Sequence, residues 1–367
     1  MKHIAIIGAG ASGLFLAKQC SGDDRLQVFV FEKSKNVGTK LRASGGGKAN
    51  IFNDNITPEG YNHPDFARHL LQKVTPDILR QEFERMGLRM ITDEEGRVYP
   101  MSQFSRTVVD ILCDNLAPNV HLETEHEVKR VAQKDGFWHV DDCPVPFDHI
   151  VFASGTTANM ILQNRKHYNA YLDSLGLKIN NLQPSLVGFK IKDYPKILSG
   201  CRVHVIASLY HGDTLVHREP GEVTFKDDGI SGIVILNLSA YYNRLDDKQN
   251  CSIELNFLYQ DEDYDVNQHL AKYHSLKGLL HPQLNDLYEQ RPFDVKKFRL
   301  EIDEPYDLAF AQVCHGGIDI AEVDDHFALK RCPGIYVMGE MLDMDGVCGG
   351  YNLFFAFASA LIVFENL

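Results

Sequence analysis

The sequence lacks a hydrophobic run long enough to cross a membrane. Its longest apolar stretches, such as residues 4–7 and 353–357, fall far short of the roughly 20 residues that a membrane-spanning helix needs. Residues 1–3 lead directly into a strand-like apolar run, without the small-residue cleavage site of a signal peptide. We therefore expect a cytoplasmic protein with no membrane partner.

Cysteine pairs are lacking as well. The 8 cysteines are scattered, with neither a C-x-x-C pair nor a His/Cys cluster at zinc spacing. Acidic pairs such as Asp227-Asp228 are typical of solvated turns rather than of metal sites. We expect reduced thiols and no bound metal.

Positive charge is scarce. Lysine and arginine total 37 residues against 50 aspartates and glutamates, which gives a formal net charge of -13 at pH 7. Such a chain, without a local run of basic residues, is repelled by phosphate backbones. The composition therefore predicts no nucleic-acid partner.

Apolar residues are present in ordinary amount, and their arrangement predicts several structural units. The chain is 44% hydrophobic, and its 367 residues exceed what one core usually holds. Strand and helix patterns alternate over residues 1–155, which predicts an α/β layer. Residues 185–259 alternate like antiparallel strands with a helix near 230–243, whereas leucines recur at helical spacing over 266–290. The tail from residue 335 returns to an α/β pattern.

The first candidate binding motif is Gly-Ala-Gly-Ala-Ser-Gly at residues 8–13, between an apolar strand and a helix. Gly8 permits a tight turn, Gly10 lets the backbone approach a pyrophosphate, and Gly13 allows close helix–strand packing. Glu32 ends the next strand, where it can accept hydrogen bonds from both adenosine ribose hydroxyls. Because a carboxylate repels a 2′-phosphate, this site is expected not to take NADP.

The second candidate motif follows soon after. Lys40 and Lys48 flank three consecutive glycines, Gly45 to Gly47, and Asn50 ends the segment. Consecutive glycines can wrap backbone N–H groups around an anion or a planar ring. A flexible surface loop is the alternative interpretation.

The third candidate motif lies near the end of the chain. A strand ends in Gly339-Glu340, and a second glycine pair, Gly349-Gly350, opens the last helix. A glycine followed by a carboxylate suits a ribityl chain, and a helix N-terminus stabilises the anionic edge of a reduced flavin. An NAD enzyme needs no such second segment, so the motif favours FAD; a simple closing strand and helix is the alternative.

One histidine is a weaker candidate. His315 lies in Cys-His-Gly-Gly at residues 314–317, and because histidine in general titrates close to neutrality, this residue could move protons if a flavin is close. An ordinary loop histidine is the simpler interpretation. The sequence assigns no catalytic residue.

Together these segments resemble a bacterial flavoprotein family, the YhiN/BaiN-like and aminoacetone oxidase-like proteins. The resemblance covers nearly the whole chain, and its most specific part is Gly-Glu-Met-Leu-Asp-Met-Asp-Gly with Gly-Gly-Tyr-Asn-Leu over residues 339–353. The other segments that carry it are 8–13 with Glu32, 40–53, 95–100, 184–187, 229–232 and 311–317.

The resemblance implies an α/β fold with a Rossmann-type FAD-binding domain built from both chain ends, residues 1–183 and 311–367. It further implies an inserted β-barrel-like domain over 184–262 and a small helical domain over 263–310. FAD contacts are expected at the motif residues and their neighbours: Gly8, Gly10, Ala11, Ser12, Gly13, Glu32, Lys33, Lys40, Ser44, Gly45, Gly46, Asn50, Val128, Ala153, Ser154, Gly155, Gly339, Glu340, Asp343, Gly349, Gly350, Tyr351, Asn352 and Leu353.

This chain departs from the family pattern at three places. The family usually has Gly-Arg-Cys-Asn where this chain has Gly-Lys-Ala-Asn at 47–50, so a thiol mechanism at that position is excluded. Residues 156–165 replace a longer glycine- and proline-bearing loop, which points to different substrate recognition. Cys314 stands where a threonine is usual.

The expected function is an FAD-dependent oxidoreductase that transfers hydride between flavin N5 and a small organic substrate. The resemblance leaves open whether the chain reduces an activated C=C bond or oxidises a small, aminoacetone-like amine with O₂. A redox sensor without rapid turnover is a further alternative. Because a second dinucleotide motif is missing from the sequence, NAD(P)H is expected to bind only transiently.

Overall fold

The computed structural model describes residues 1–158 and 170–367. The chain forms two compact units, Met1–Gln183 with Val313–Leu367 and Pro184–Gln312. The assignment of these regions as an FAD-binding domain and inserted domains stays a prediction. Residues 159–165 of the loop expected to differ from the family lie outside the described residues.

Short strands and helices alternate along the chain. The strands are β1 (Lys2–Ile7), β2 (Leu26–Phe31), β3 (Phe52–Asn53), β4 (Met90–Thr92), β5 (Arg97–Pro100), β6 (Val120–Glu123), β7 (Val131–Lys134), β8 (Phe137–Val140), β9 (His149–Phe152), β10 (Ile179–Ser185), β11 (Phe189–Ile191), β12 (Arg202–His211), β13 (Thr214–Phe225), β14 (Gly229–Ser231), β15 (Cys251–Asn256), β16 (Phe298–Pro305), β17 (Val313–Ile318) and β18 (Ile335–Val337). The α-helices within the described residues are α1 (Ala11–Cys20), α2 (Thr39–Ala43), α3 (Pro64–Lys73), α4 (Pro76–Arg85), α5 (Ser105–Cys113), α6 (Ile233–Asn243), α7 (Val266–Tyr273), α8 (Pro282–Gln290) and α9 (Tyr351–Glu365).

The first unit is built on a five-stranded sheet in the order β18-β9-β1-β2-β6, with every neighbouring pair parallel. Parallel strands have helices on their faces and are therefore apolar on both sides. This explains why residues 4–7 of β1 are all buried. The carboxyl ends of β1, β2, β9 and β18 meet at one edge, which is where α/β sheets bind ligands. The predicted Rossmann-type α/β fold is confirmed.

The last helix, α9, belongs to the core of this unit. It is apolar around its whole circumference, and a helix of that kind is stable only when buried. Its Phe357 packs on Phe15 of α1 and on Phe83 of α4, with ring centroids 5.3 and 4.9 Å apart. The two ends of the chain therefore share one core, as expected.

The second unit contains a closed barrel in the order β11-β14-β13-β12-β15-β16, with α6, α7 and α8 in the same unit. The predicted helix near 230–243 begins only at Ile233, because β14 occupies 229–231 and Gly232, at φ 110°, ends the strand. Strand β16 lies in the stretch predicted to be helical. Its Leu300 and Ile302 face the core and alternate with exposed Arg299 and Glu301, so β16 completes the barrel.

No helix within residues 1–158 and 170–367 is long and apolar enough to cross a membrane.

Candidate functional site

The glycine turn after β1 uses two of its glycines for packing and leaves space at the third. A Cβ atom on Gly8 lies 2.6 Å from the Ala153 carbonyl oxygen, and one on Gly13 lies 1.9 Å from the Gly8 carbonyl oxygen. Both distances are too short for any side chain. At Gly10 the nearest described atom is 3.9 Å from a Cβ. The turn therefore has a gap in front of Gly10, as a pyrophosphate requires.

The first turn of α1 is ready to receive an anion. Gly10 precedes the helix, and the turn itself consists of uncharged Ala11, Ser12 and Gly13. Across the described parts of the chain, no side chain caps this turn. Its N–H groups and the positive end of the helix dipole therefore face the gap.

Glu32 is held at the end of β2 by backbone donors. One carboxylate oxygen accepts the N–H of Ala9 at 2.9 Å, and the other accepts the N–H of Ser34 at 2.8 Å. Ala9 belongs to the glycine turn, so the carboxylate is fixed beside it. Lys33, another predicted contact, follows Glu32 in the sequence and is half-buried.

Lys40 and Glu340 form an ion pair with each other. One oxygen of Glu340 also accepts the Thr156 hydroxyl at 2.8 Å and the backbone N–H of Cys314 at 3.2 Å. Gly155 is adjacent, with a Cβ position 3.7 Å from the other Glu340 oxygen. Glu340 therefore connects its own segment with three others, those of Lys40, of residues 155–156 and of Cys314.

The first and third motifs lie against each other. A Cβ on Gly339 lies 2.9 Å from the Ser12 hydroxyl oxygen, so the β18 end touches the first turn of α1. Ser154, after β9, donates its N–H to the Met341 sulfur at 3.3 Å and shares a 2.8 Å hydrogen bond with Tyr171. Ala153 donates to Ile7 and is buried.

The second and third motifs also meet. With its amide oriented by its partners, Asn50 donates to the Phe52 carbonyl at 2.9 Å and accepts the N–H of Gly350 at 3.2 Å. Gly45 adopts a left-handed conformation that glycine allows without strain, and Ser44 donates to the Leu41 carbonyl at 2.7 Å. The predicted loop thus contacts the start of the last helix.

Two predicted contacts at the start of α9 bind protein groups. The Asn352 amide holds Gly346 by two hydrogen bonds, accepting its N–H at 3.0 Å and donating to its carbonyl at 2.8 Å. The Tyr351 ring packs on Tyr61, with centroids 5.2 Å apart, and the Tyr61 hydroxyl donates to the Tyr351 carbonyl. These residues shape the turn that contains Gly349 and Gly350.

Three further predicted contacts lie in this first unit. Gly46 is left-handed like Gly45, Leu353 is half-buried in the first turn of α9, and Val128 is buried in the hydrophobic core. The FAD contact at Val128 stays a prediction.

Asp343 is the centre of a buried polar network. It accepts hydrogen bonds from the Gly316 N–H at 3.0 Å, the Asn62 amide at 2.9 Å and the Asn180 amide at 2.7 Å. Burial alone raises the pKa of Asp343, but the His63 imidazole 3.7 Å away, the hydrogen bond from Asn180 and the nearby His315 outweigh it and lower the pKa to about 2. Asp343 is therefore a carboxylate at neutral pH.

A histidine–carboxylate pair adjoins this network. His315 Nδ1 lies 2.8 Å from Asp345 Oδ1, and Asp345 is 1% exposed. The Asn62 side chain joins the two halves, since its oxygen accepts the Asp345 N–H at 3.0 Å. Ligand atoms of His315, Asp343 and Asp345 lie within 4.8 Å of one another, but Asp343 is already engaged by three protein donors. The cluster is organised as a hydrogen-bond network.

The sequence motifs did not identify several members of the site. Asn62, Asn180 and Thr156 are isolated polar residues outside every motif, so only the fold could find them. Cys314 was noted as a departure from the family; burial raises the pKa of its thiol to about 12, so it stays protonated.

This chain is similar to known proteins over almost its whole length. The sequence profile of the family described as HI0933-like protein Rossmann domain matches residues 2–366. A 3-dehydro-bile acid delta(4,6)-reductase of Clostridium scindens is 28% identical over 401 residues, which cover 99% of this chain and 98% of the relative. A ribosomal RNA dihydrouridine synthase of Escherichia coli is 25% identical over 396 residues, covering 99% and 97%.

A solved structure has a similar fold. It is the FrdA chain of E. coli quinol fumarate reductase, which matches 100% of this chain and 70% of its own length with a TM-score of 0.51 and 14% identity. The predicted family and the predicted FAD cofactor are confirmed. The chain belongs to the HI0933-like family of Rossmann-fold, FAD-dependent oxidoreductases.

Proposed function

We propose that this protein is an FAD-dependent reductase of a C=C bond conjugated to a carbonyl group in a small organic molecule. The observation that carries the proposal is the full-length similarity to relatives named for a bile acid reductase and for a dihydrouridine synthase. Dihydrouridine differs from uridine by reduction of a C=C bond conjugated to a carbonyl. Both names therefore describe the same type of reduction on unrelated molecules.

The geometry at the edge of the parallel sheet supports FAD binding. We propose that the pyrophosphate binds at Gly10 and the first turn of α1, which combines open space with uncapped N–H groups in the described chain. We propose that Glu32 binds the adenosine ribose, since each carboxylate oxygen has two acceptor positions and one backbone donor occupies each.

The flavin end is proposed to lie along residues 339–353. Gly339, Glu340 and Asp343 line the approach, with Lys40, Ser44–Gly46 and Asn50 contributed by the second motif. The first turn of α9 follows Gly350, and its dipole favours negative charge on the flavin edge. When bound, FAD supplies the hydride. The protein's part is to hold the cofactor, exclude water and provide the proton.

The net charge of the protein is the basis for proposing a small substrate. A formal net charge of -13 opposes the close approach of a long polyanion such as ribosomal RNA. We therefore favour a small enone over RNA, despite the name of the 25% identical relative. The cytoplasmic location and the transient use of NAD(P)H stay predictions.

A panel of acceptors tests the proposal. The reduced protein is mixed without oxygen with a steroid enone, with cyclohexenone and with an unmodified ribosomal RNA fragment, and the products are analysed by mass spectrometry. We expect an enone to gain two hydrogen atoms and the RNA to remain unchanged. Aminoacetone with air serves as the comparison. Oxygen consumption with aminoacetone, together with unreacted enones, contradicts the proposal in favour of an amine oxidase.

A further inference from the structure

Reduction of a conjugated C=C bond requires an acid as well as a hydride. The hydride carries two electrons to the β-carbon, the π electrons move toward the carbonyl, and a proton must then bond to the α-carbon. The reduced cofactor supplies the hydride, and a side chain or water supplies the proton. This step rests on the proposed function.

We propose that His315, oriented by Asp345, is the residue that donates this proton. Asp345 is buried, and as a carboxylate it can only accept a hydrogen bond; in that state the 2.8 Å contact places a proton on His315 Nδ1. The doubly protonated imidazolium gives its Nε2 proton to the α-carbon and is left neutral with its proton on Nδ1, after which solvent reprotonates Nε2. The His315 side chain is 20% exposed, whereas that of Asp345 is 1% exposed. The imidazole therefore reaches outward from a fixed, buried partner.

The backbone around His315 is fixed on both sides by proposed cofactor residues. The preceding N–H, of Cys314, is donated to Glu340 at 3.2 Å, and the following N–H, of Gly316, to Asp343 at 3.0 Å. A Cβ on Gly316 lies only 2.2 Å from the Asn181 carbonyl oxygen, so the strand backbone is closely packed there. Such support holds a catalytic group within the small tolerance that proton transfer needs.

The partner Asp345 is connected to the start of the last helix. The next residue, Gly346, is bound at both its N–H and its carbonyl by Asn352, which lies in the first turn of α9. The histidine and its carboxylate are therefore attached to both segments proposed to face the flavin. An isolated loop histidine has no such double attachment.

The main test determines the source of the hydrogen that is added to the α-carbon of the substrate. Photochemically reduced holoprotein and an enone with a prochiral α-carbon, 2-methylcyclohexenone, are mixed anaerobically in D₂O. The wild type should place deuterium on one face of the α-carbon. In His315→Gln the reoxidation of flavin by the enone should slow by about 100-fold or more, as expected for loss of a general acid. The residual product should carry deuterium on both faces, since water then donates.

The control variant is His326→Gln, which alters an exposed histidine of the same unit. This variant should keep the wild-type rate and should place deuterium on the same single face of the α-carbon as the wild type does. Flavin content should be equal in all three proteins, because His315 is proposed to act on the proton and not on the cofactor. If His315→Gln loses flavin, Asp345→Asn is the second variant, with a smaller loss of rate and the same loss of facial selectivity.

A measurement without turnover tests the orientation separately. ¹⁵N NMR of the oxidised holoprotein should find neutral His315 protonated at Nδ1, and Asp345→Asn should abolish this preference. The opposite tautomer in the wild type overturns the inference. So does a His315→Gln variant with wild-type rate and facial selectivity. A wild type that leaves every enone unreacted instead refutes the proposed function on which the inference rests.

Discussion

Helices α1 and α9 both begin after a glycine, yet their first turns are built differently. At α1 backbone packs on backbone, since a Cβ on Gly13 would lie only 1.9 Å from the Gly8 carbonyl oxygen. At α9 side chains hold the turn, since Asn352 binds Gly346 and Asn50 binds Gly350. The first start is defined by shape and the second by a polar network.

The difference indicates that the two helix starts have different functional roles. A turn made of tightly packed glycines leaves a defined gap for a pyrophosphate and contains no titrating group. The α9 side is connected through Asn62 to the Asp343 carboxylate and Asp345, and through Asp345 to His315, the proposed proton donor. We therefore expect substitutions at the α1 start to affect cofactor binding and stability, and substitutions at the α9 side to affect proton transfer and pH dependence.

The largest effect on stability is expected for Gly13→Ala. The new Cβ would lie 1.9 Å from the Gly8 carbonyl oxygen, so the helix must move away from the strand. Overpacking of this kind costs about 3 kcal/mol in the free energy of unfolding. Urea unfolding and flavin content measure it, and both should fall. Unchanged unfolding would show that shape does not define the α1 start.

The next effect concerns Asp343. Its pKa is about 2 against an ordinary 3.8, so the native carboxylate contributes about 2 kcal/mol at neutral pH. Because the folded pKa is depressed, this contribution is complete above about pH 4 and is lost as the pH falls toward about 2. The difference in unfolding free energy between wild type and Asp343→Asn should shrink over that range. Asp142→Asn, which removes a carboxylate at a fully exposed position, is the matched control.

A smaller effect is expected for the Lys40–Glu340 pair. Both side chains are about a quarter exposed, at 25% and 21%, so solvent screens their attraction. A double-mutant cycle with Lys40→Met and Glu340→Gln should give a coupling energy of about 1 kcal/mol in urea unfolding. A coupling near zero would mean that the pair does not join the second motif to the third.

The smallest effect on stability is expected for Gly10→Ala. The nearest described atom is 3.9 Å from the new Cβ, so the free energy of unfolding of the flavin-free protein should change by less than about 1 kcal/mol. The methyl group fills the proposed pyrophosphate gap, and flavin content should therefore fall sharply. Wild-type flavin content in this variant places the pyrophosphate elsewhere.

The sequence predicted the α1 start well because its signal is local. A strand, three spaced glycines and Glu32 lie within 32 residues, and each glycine's role follows from backbone geometry alone. The network around Asp343 was not predictable in this way. Its partner Asn62 lies 281 residues away in sequence, and a single asparagine carries no pattern. Only the folded chain brings them together.

Strand β16 is another element whose conformation depends on residues far away in the sequence. The alternation of Phe298, Leu300 and Ile302 is present in the sequence, but it follows a long leucine-rich helical stretch that dominates the pattern. Pairing with β15 and β11 decides the conformation, and that pairing joins residues about 50 and more than 100 positions apart. The barrel was therefore predicted without its last strand.

The most direct test of the account is the visible absorption of the purified protein through one anaerobic cycle. The flavin is first reduced with NADH, NADPH or light, and an enone is then added before any air. We predict flavin bands that bleach on reduction and return with the enone alone. Bands that return only when oxygen is admitted, or a protein without flavin bands, would contradict an FAD-dependent reductase of conjugated C=C bonds.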